Sequence, residues 1–255
     1  HTVGDALKAA HPRSLVFTAG WKDYAAIMTA GHHGDGAYWF DPTTGHMVTS
    51  DYYTREYPSW TDRFTRDDLT APFFGMTWHG RRFGTGDGPD EAYRLRFRYT
   101  PHPNALLLEF AKTLLDRSGV GADAEPDLVA VSFAGLDYTG HEYGPETPEF
   151  DEVLLQQDRE VGDLLRALDA KYPHERVAKV CGVRAETIRE VALCFGHARA
   201  AMIFWGMGIS QHVHGTDNAR CLIALALSTG QIGKPGTGLH PLRGQNNVQG
   251  RSEEH

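Results

Sequence analysis

The chain has 255 residues, 41% of them hydrophobic and 23% charged, an ordinary globular composition with apolar material for one large domain or two small ones. No stretch approaches the roughly 18 to 20 uninterrupted apolar residues that span a bilayer, and the opening HTVGDALKAAHPRS has no apolar signal core, so neither a membrane span nor an intact secretory precursor is expected. A net charge of −8 without a basic stripe argues against nucleic acid as the main partner.

The total charge conceals a division. Residues 172–255 hold 9 of the 25 Lys and Arg but only 6 of the 33 Asp and Glu, so the first 171 residues are strongly acidic. All three cysteines, Cys181, Cys194 and Cys221, fall in the later part without a CxxC spacing, which points to buried thiols rather than a disulfide framework.

In chain order, the segment to about Pro103 reads as short strands and long loops. Leu15 to Ala19 is a strand, AYWFDPTTGHMVTS (37–50) a hairpin, and GTGDGPDEA (84–92) a turn-rich excursion. GHHGDG (31–36) offers His32, His33 and Asp35 as ligands, although a Gly-flanked polar loop is the better reading, and Asp87 and Asp90 lack a completed calcium-loop spacing and read as a solvated turn. From Asn104 the residues Ala105, Leu108, Phe110, Ala111, Leu114 and Leu115 keep near-helical spacing until Gly119. Asp127 to Phe133 is a short apolar run of the kind found in a doubly covered parallel strand, and a second helix follows with Val153, Leu154, Val161, Leu164, Leu165 and Leu168 on one face. This is βα material, and an α/β sheet is the expected fold class.

A boundary is expected at Lys171-Tyr172-Pro173. Beyond it, His174 to Val180 and Ala185 to His197 read as helices, Ala200 to Trp205 as a strand, and Asp217 to Thr229 as a helix capped at Thr216 or Asp217. From Gly230 onward the sequence reads as a Gly-, Pro- and Asn-rich loop.

Two stretches carry chemistry. Directly after the strand ending at Phe133 comes a loop with Asp137 and His141 four apart. In an α/β sheet that is the ligand-binding end, and such O and N donors can share a zinc ion; the alternative is a turn capped by Asp137 beside a solvated His141. In the later part, a strand runs into Gly206-Met207-Gly208, a turn that can bring backbone N–H groups to a phosphate, and His212 and His214 are either metal ligands or paired surface histidines.

Residues 1–171 resemble the alkaline phosphatase superfamily, in particular its type I phosphodiesterase/nucleotide pyrophosphatase branch. The resemblance rests on GWKDYAAIMTAGHHGDGAYWFDPTTGHMVTSDYY (20–53), TPHPNALLLEFAK (100–112) and the DYTGHEYGP motif with its flanks. It implies that Asp137 and His141 ligate zinc and that Lys22 contacts a substrate phosphate, with Tyr24 where the family's motif has an arginine. It also implies a Thr or Ser nucleophile on a preceding segment, an Asp-His pair from a DHG motif, and a further His near the C-terminus. None of these is visible in the 255 residues, and an incomplete, weakly active or inactive site is expected.

Residues 173–250 resemble the molybdopterin oxidoreductase family, most closely formate dehydrogenase catalytic subunits, through PHERVAKVCGVRAETIREVA (173–192), the run from Gly206, and PLRGQNNVQG (241–250). The resemblance implies a molybdopterin guanine dinucleotide beside Gly206, Gly208, Gln245, Asn246 and Asn247, and an Arg243 that orients formate. The guanidinium fork suits a carboxylate.

The expected architecture is therefore a partial alkaline-phosphatase-like parallel sheet with helices (1–171), followed by a small α/β segment of a molybdopterin-dinucleotide-binding domain (172–255). The expected partners are a small phosphate ester or formate, without nucleic acid or a membrane span, and with self-association through an open sheet edge. A fusion of two fragments without catalysis is the third reading.

Overall fold

The computed structural model describes residues 2–123, 125–210 and 215–242. They divide into two compact units, His1–Lys171 and Tyr172–His255.

The first unit opens with α1 (Val3–Ala10), started by a capping box in which Thr2 and Asp5 satisfy each other's backbone amides. β1 (Val16–Gly20) has all five residues buried. It is followed by α2 (Asp23–Ala30) and β2 (Gly36–Asp41), which pairs parallel to β1. β3 (His46–Val48) returns antiparallel, and the hairpin expected at 37–50 forms because Asp41 accepts from Thr43 N and Thr44 Oγ1 while Gly45 takes φ +81°.

After the short α3 (Asp62–Thr65), the two-residue strands β4 (Thr77–Trp78) and β5 (Arg81–Arg82) and α4 (Glu91–Phe97), the chain enters α5 (His102–Arg117). Asp90 caps α4 by accepting from Tyr93 N at 2.7 Å, a structural use for a residue that had no calcium-loop spacing. β6 (Leu128–Ser132), α6 (Gly135–Tyr143) and α7 (Pro148–Lys171) complete the unit.

The sheet order is β3-β2-β1-β6, so β1 is central and β6 lies at the edge. The expectation of a doubly covered strand at 127–133 is corrected by this placement, since all five β6 residues are only half-buried. The core is strongly aromatic: Phe17, Trp21, Tyr38, Phe40, Phe64, Tyr93, Phe97 and Phe110 are buried with Leu107 and Leu114 of α5, and Trp21 stacks on Phe40 at 4.1 Å. α7 buries Val153 and Glu160, whereas Leu154, Val161 and Leu165 are exposed rather than part of one covered face.

The second unit contains α8 (His174–Cys181), α9 (Ala185–His197), β7 (Met202–Trp205), the four-residue α10 (Met207–Ser210), α11 (Gly215–Ser228) and β8 (Gly238–Pro241). β7 and β8 pair in parallel, which corrects the reading of everything after Gly230 as loop. Gln231 is buried, accepting from Ala201 N at 2.9 Å and donating to the Ala198 carbonyl at 2.7 Å. All three cysteines are exposed rather than buried; Cys181 and Cys194 lie on α8 and α9, which bury no residue, and Cys221 lies on an exposed position of α11. Among the described residues no helix is long and apolar enough to cross a membrane.

Candidate functional site

β1 and β6 are parallel neighbours, so the segments leaving their carboxyl ends emerge side by side. Lys22 lies just past β1, as the N-cap residue of α2, and Asp137 and His141 lie just past β6. The Asp137 motif is helical rather than the expected loop. Asn104 of α5 makes this possible: its Oδ1 accepts from Gly135 N at 3.1 Å, satisfying the first amide of α6, while its Nδ2 donates to Gln157 of α7. Gly135 is required there, since a Cβ would lie 2.6 Å from Asn104 Nδ2.

On α6 the four-residue spacing puts both donors on one face, with Asp137 Oδ1 and His141 Nε2 3.5 Å apart. Zinc bonds of about 2.0–2.2 Å place two ligand atoms of a tetrahedral ion roughly 3.3–3.6 Å apart, so the pair fits two corners of such a site. The side chains are 48% and 83% exposed, which leaves the remaining positions open to solvent. Among the described residues no group of three or more His, Cys, Asp or Glu is arranged for a metal.

The other Asp137 oxygen, Oδ2, accepts from Lys22 Nζ in an ion pair. That bond holds the Asp137 carboxyl below the usual carboxylate range. Partial burial opposes the charge on Lys22, yet the bond to Asp137 holds its ammonium above the ordinary value. Lys22 Nζ also stands 4.6 Å from the Tyr138 ring centroid.

His32, His33 and Asp35 form the polar loop and not a ligand set. The amides of His32 and His33 and the His33 ring bond Asp5, and Asp35 accepts from Val16 N and Lys8 Nζ. A recess of about 950 Å³ between α5 and the end of α7 is lined by Trp60, Arg63 and Lys112 among others, and none of Lys22, Asp137 or His141 lines it.

In the second unit Gly206 links β7 to α10 and Gly208 lies within α10. Arg243, Gln245, Asn246, Asn247, His212 and His214 lie outside the described residues, as do the side chains of Thr216 and Asp217. Residue spacing carries no signal for the role of Asn104 or for Arg98, whose guanidinium packs on Tyr138.

Residues 16–178 match the family described as type I phosphodiesterase / nucleotide pyrophosphatase. Alkaline phosphatase PafA of Elizabethkingia meningoseptica is 32% identical over 186 residues, 62% of this chain and 34% of that protein. A crystal structure of wild-type PafA superposes with a TM-score of 0.57 at 31% identity, covering 66% of this chain and 38% of that one. A different part of the chain matches the F420-dependent formate dehydrogenase subunit alpha of Methanocaldococcus jannaschii, 45% identical over 100 residues, 39% of this chain and 15% of that protein. The chain thus spans about a third of the curated phosphatase and a smaller share of the dehydrogenase.

Proposed function

The chain belongs, over residues 16–178, to the type I phosphodiesterase / nucleotide pyrophosphatase family, and from that premise we propose that its first unit is a segment of a metal-assisted phosphoester hydrolase in which Lys22, Asp137 and His141 form part of the reaction site. The observation that carries this reading is the placement of Asp137 Oδ1 and His141 Nε2 3.5 Å apart beside a lysine, at the carboxyl ends of two adjacent parallel strands.

Asp137 and His141 are the residues that would hold a zinc ion, which when bound supplies positive charge to a phosphoryl oxygen. The chain's own groups do the rest. Lys22, paired with Asp137 Oδ2 while the site is empty, offers an ammonium to a phosphate oxygen at the same place. Tyr138 orients that ammonium through its ring face.

Two protein ligands and one cation give a developing phosphoryl charge few matched partners. The 255-residue chain should therefore hydrolyse p-nitrophenyl phosphate and bis-p-nitrophenyl phosphate far more slowly than a full-length phosphatase, and only with zinc present. The slow rate should disappear in Asp137→Ala and on adding a chelator. A rate indifferent to both overturns the reading.

The similarity to a formate dehydrogenase subunit favours a second reading, for the second unit alone. In it, residues 172–255 are a segment of a molybdopterin-dinucleotide-binding domain, with Gly206 and Gly208 offering backbone to the pyrophosphate of a molybdopterin guanine dinucleotide. Gln245, Asn246 and Asn247 would be its polar partners and Arg243 would hold formate by its fork of donors. Among the described residues, the strand–glycine–helix order at β7, Gly206 and α10 fits such a turn. Metal and pterin analysis of the purified chain distinguishes the units' roles. Zinc supports the first reading, molybdenum with pterin fluorescence supports the second, and neither overturns both.

A further inference from the structure

Glu160 stands where the pattern of α7 calls for an apolar side chain. It follows the buried Val153 by about two turns, on the face that meets α5, and is itself buried. Its Oε1 accepts from Gln156 Nε2 at 3.1 Å, whereas Oε2 is buried and, among the described residues, has no hydrogen-bond partner. The amide of Asn104 on α5 also bonds this carboxyl. Asp5, the other deeply buried carboxylate, is different. It accepts from the amides of Thr2, His32 and His33 and is occupied in fastening a loop to α1.

Asn104 links Glu160 to the reaction site. Its Oδ1 accepts from Gly135 N at 3.1 Å, and its Nδ2 carries two hydrogens, one donated to Gln157 Oε1 at 3.1 Å and the other to Glu160. Gly135 lies two residues before Asp137 in the first turn of α6, so the orientation of this one amide sets where the helix bearing Asp137 and His141 begins. An ionised Glu160 only accepts, and a charged acceptor makes the stronger bond. It holds Nδ2 toward α7 and therefore Oδ1 toward Gly135. A protonated Glu160 accepts more weakly and also carries a donor that competes with Gly135 N for Oδ1.

Resting on the phosphoester reading above, we propose that Glu160 is a positioning residue for the Asp137–His141 pair, acting through Asn104 on the first turn of α6, so that metal affinity rises when its carboxyl ionises. Burial pushes that carboxyl up to about 7, which brings the change into the neutral range. Among the described residues the one charged group acting on Glu160 is Asp163, three residues on along α7. α5 meets it with the Asn104 amide, and the charged groups of α6 act with Lys22, Arg98 and Arg81 rather than with it.

Zinc titration of the full chain by calorimetry at pH 6 and at pH 8, for the wild-type protein and Glu160→Gln, tests this. Glutamine keeps the shape of the side chain and cannot ionise. The two proteins should bind zinc alike at pH 6, and the wild-type chain should bind about threefold to tenfold more tightly at pH 8. Protonation of His141 is common to both and cancels in the comparison. A merely structural Glu160 predicts no wild-type advantage at pH 8, because there the substitution removes a buried charge and stabilises the fold. If zinc binds through Asp137 and His141 but that advantage is absent or reversed, the proposal is overturned and the phosphoester reading stands. If no zinc heat requires Asp137 and His141, both are overturned. Should Glu160→Gln fail to fold, carboxyl NMR of the wild-type chain decides. The coupling is reciprocal, so saturating zinc should lower the pH at which Glu160 titrates by roughly half to one unit. A titration that zinc does not move overturns the proposal.

Discussion

Lys22 and Asp137, 115 residues apart in the chain, are joined by an ion pair across the carboxyl ends of β1 and β6. The bond ties the phosphate-type lysine to the metal-type aspartate, and it has a cost for any cation that would use the same carboxylate. While Lys22 neutralises Asp137 Oδ2, the charge available to a metal on Oδ1 is reduced.

Removing that competitor should therefore strengthen metal binding. Lys22→Gln is expected to tighten zinc binding by roughly threefold to tenfold, in line with the modest worth of a partly exposed ion pair. Calorimetry at fixed pH checks it, and unchanged or weaker binding would show that Lys22 does not compete.

Glu160 makes the first unit's stability depend on pH. It is 2% exposed, its Oε2 has no hydrogen-bond partner, and burial pushes its carboxyl from 4.5 up to about 7, against the opposing bonds from Gln156 and Asn104. The fold thus binds a proton that the unfolded chain releases at lower pH. The stabilisation is fully present below about pH 4.5, and it is lost as pH rises through about 7. Glu160→Gln should remove this loss, on the order of 2–3 kcal/mol, and raise the melting temperature at pH 8 by several degrees with little change at pH 4.5. Equal melting of the two proteins at pH 8 would contradict it.

β6 offers an unpaired outer edge among the described residues. Its sequence Leu-Val-Ala-Val-Ser contains no charge and no proline to block further pairing. The chain should self-associate, with a weight-average mass in light scattering that grows with concentration. A monodisperse monomer with a sharp thermal transition independent of concentration is the opposing result.

The parts of the fold that were legible had local causes. The 37–50 hairpin is written in Asp41, Pro42 and Gly45, and α5 in its spaced leucines and Gly119. α2 has no apolar stripe to signal it, because it packs the small Ala26 and Ala30 against Ala37 of β2. The sequence of α6 reads as a loop because its glycines and threonine suggest turns. The helix is fixed instead by Asn104 from α5 and by the Thr139 hydroxyl bonding the Gly135 carbonyl. β8 was hidden by Gly238 and Pro241, and forms through its pairing with β7.

The candidate site divides in the same way. The four-residue spacing of Asp137 and His141 is visible in the sequence, whereas the Lys22–Asp137 bond and the packing of Arg98 on Tyr138 arise only when distant segments meet.

The central claim is that Asp137 and His141 together hold a metal, and zinc titration of the full chain by calorimetry tests it most directly. The account predicts one weak site, well short of a closed four-ligand site, whose heat vanishes in the Asp137→Ala/His141→Ala double variant while the fold, followed by circular dichroism, is retained. The same heat from the wild-type chain and the folded double variant would contradict it.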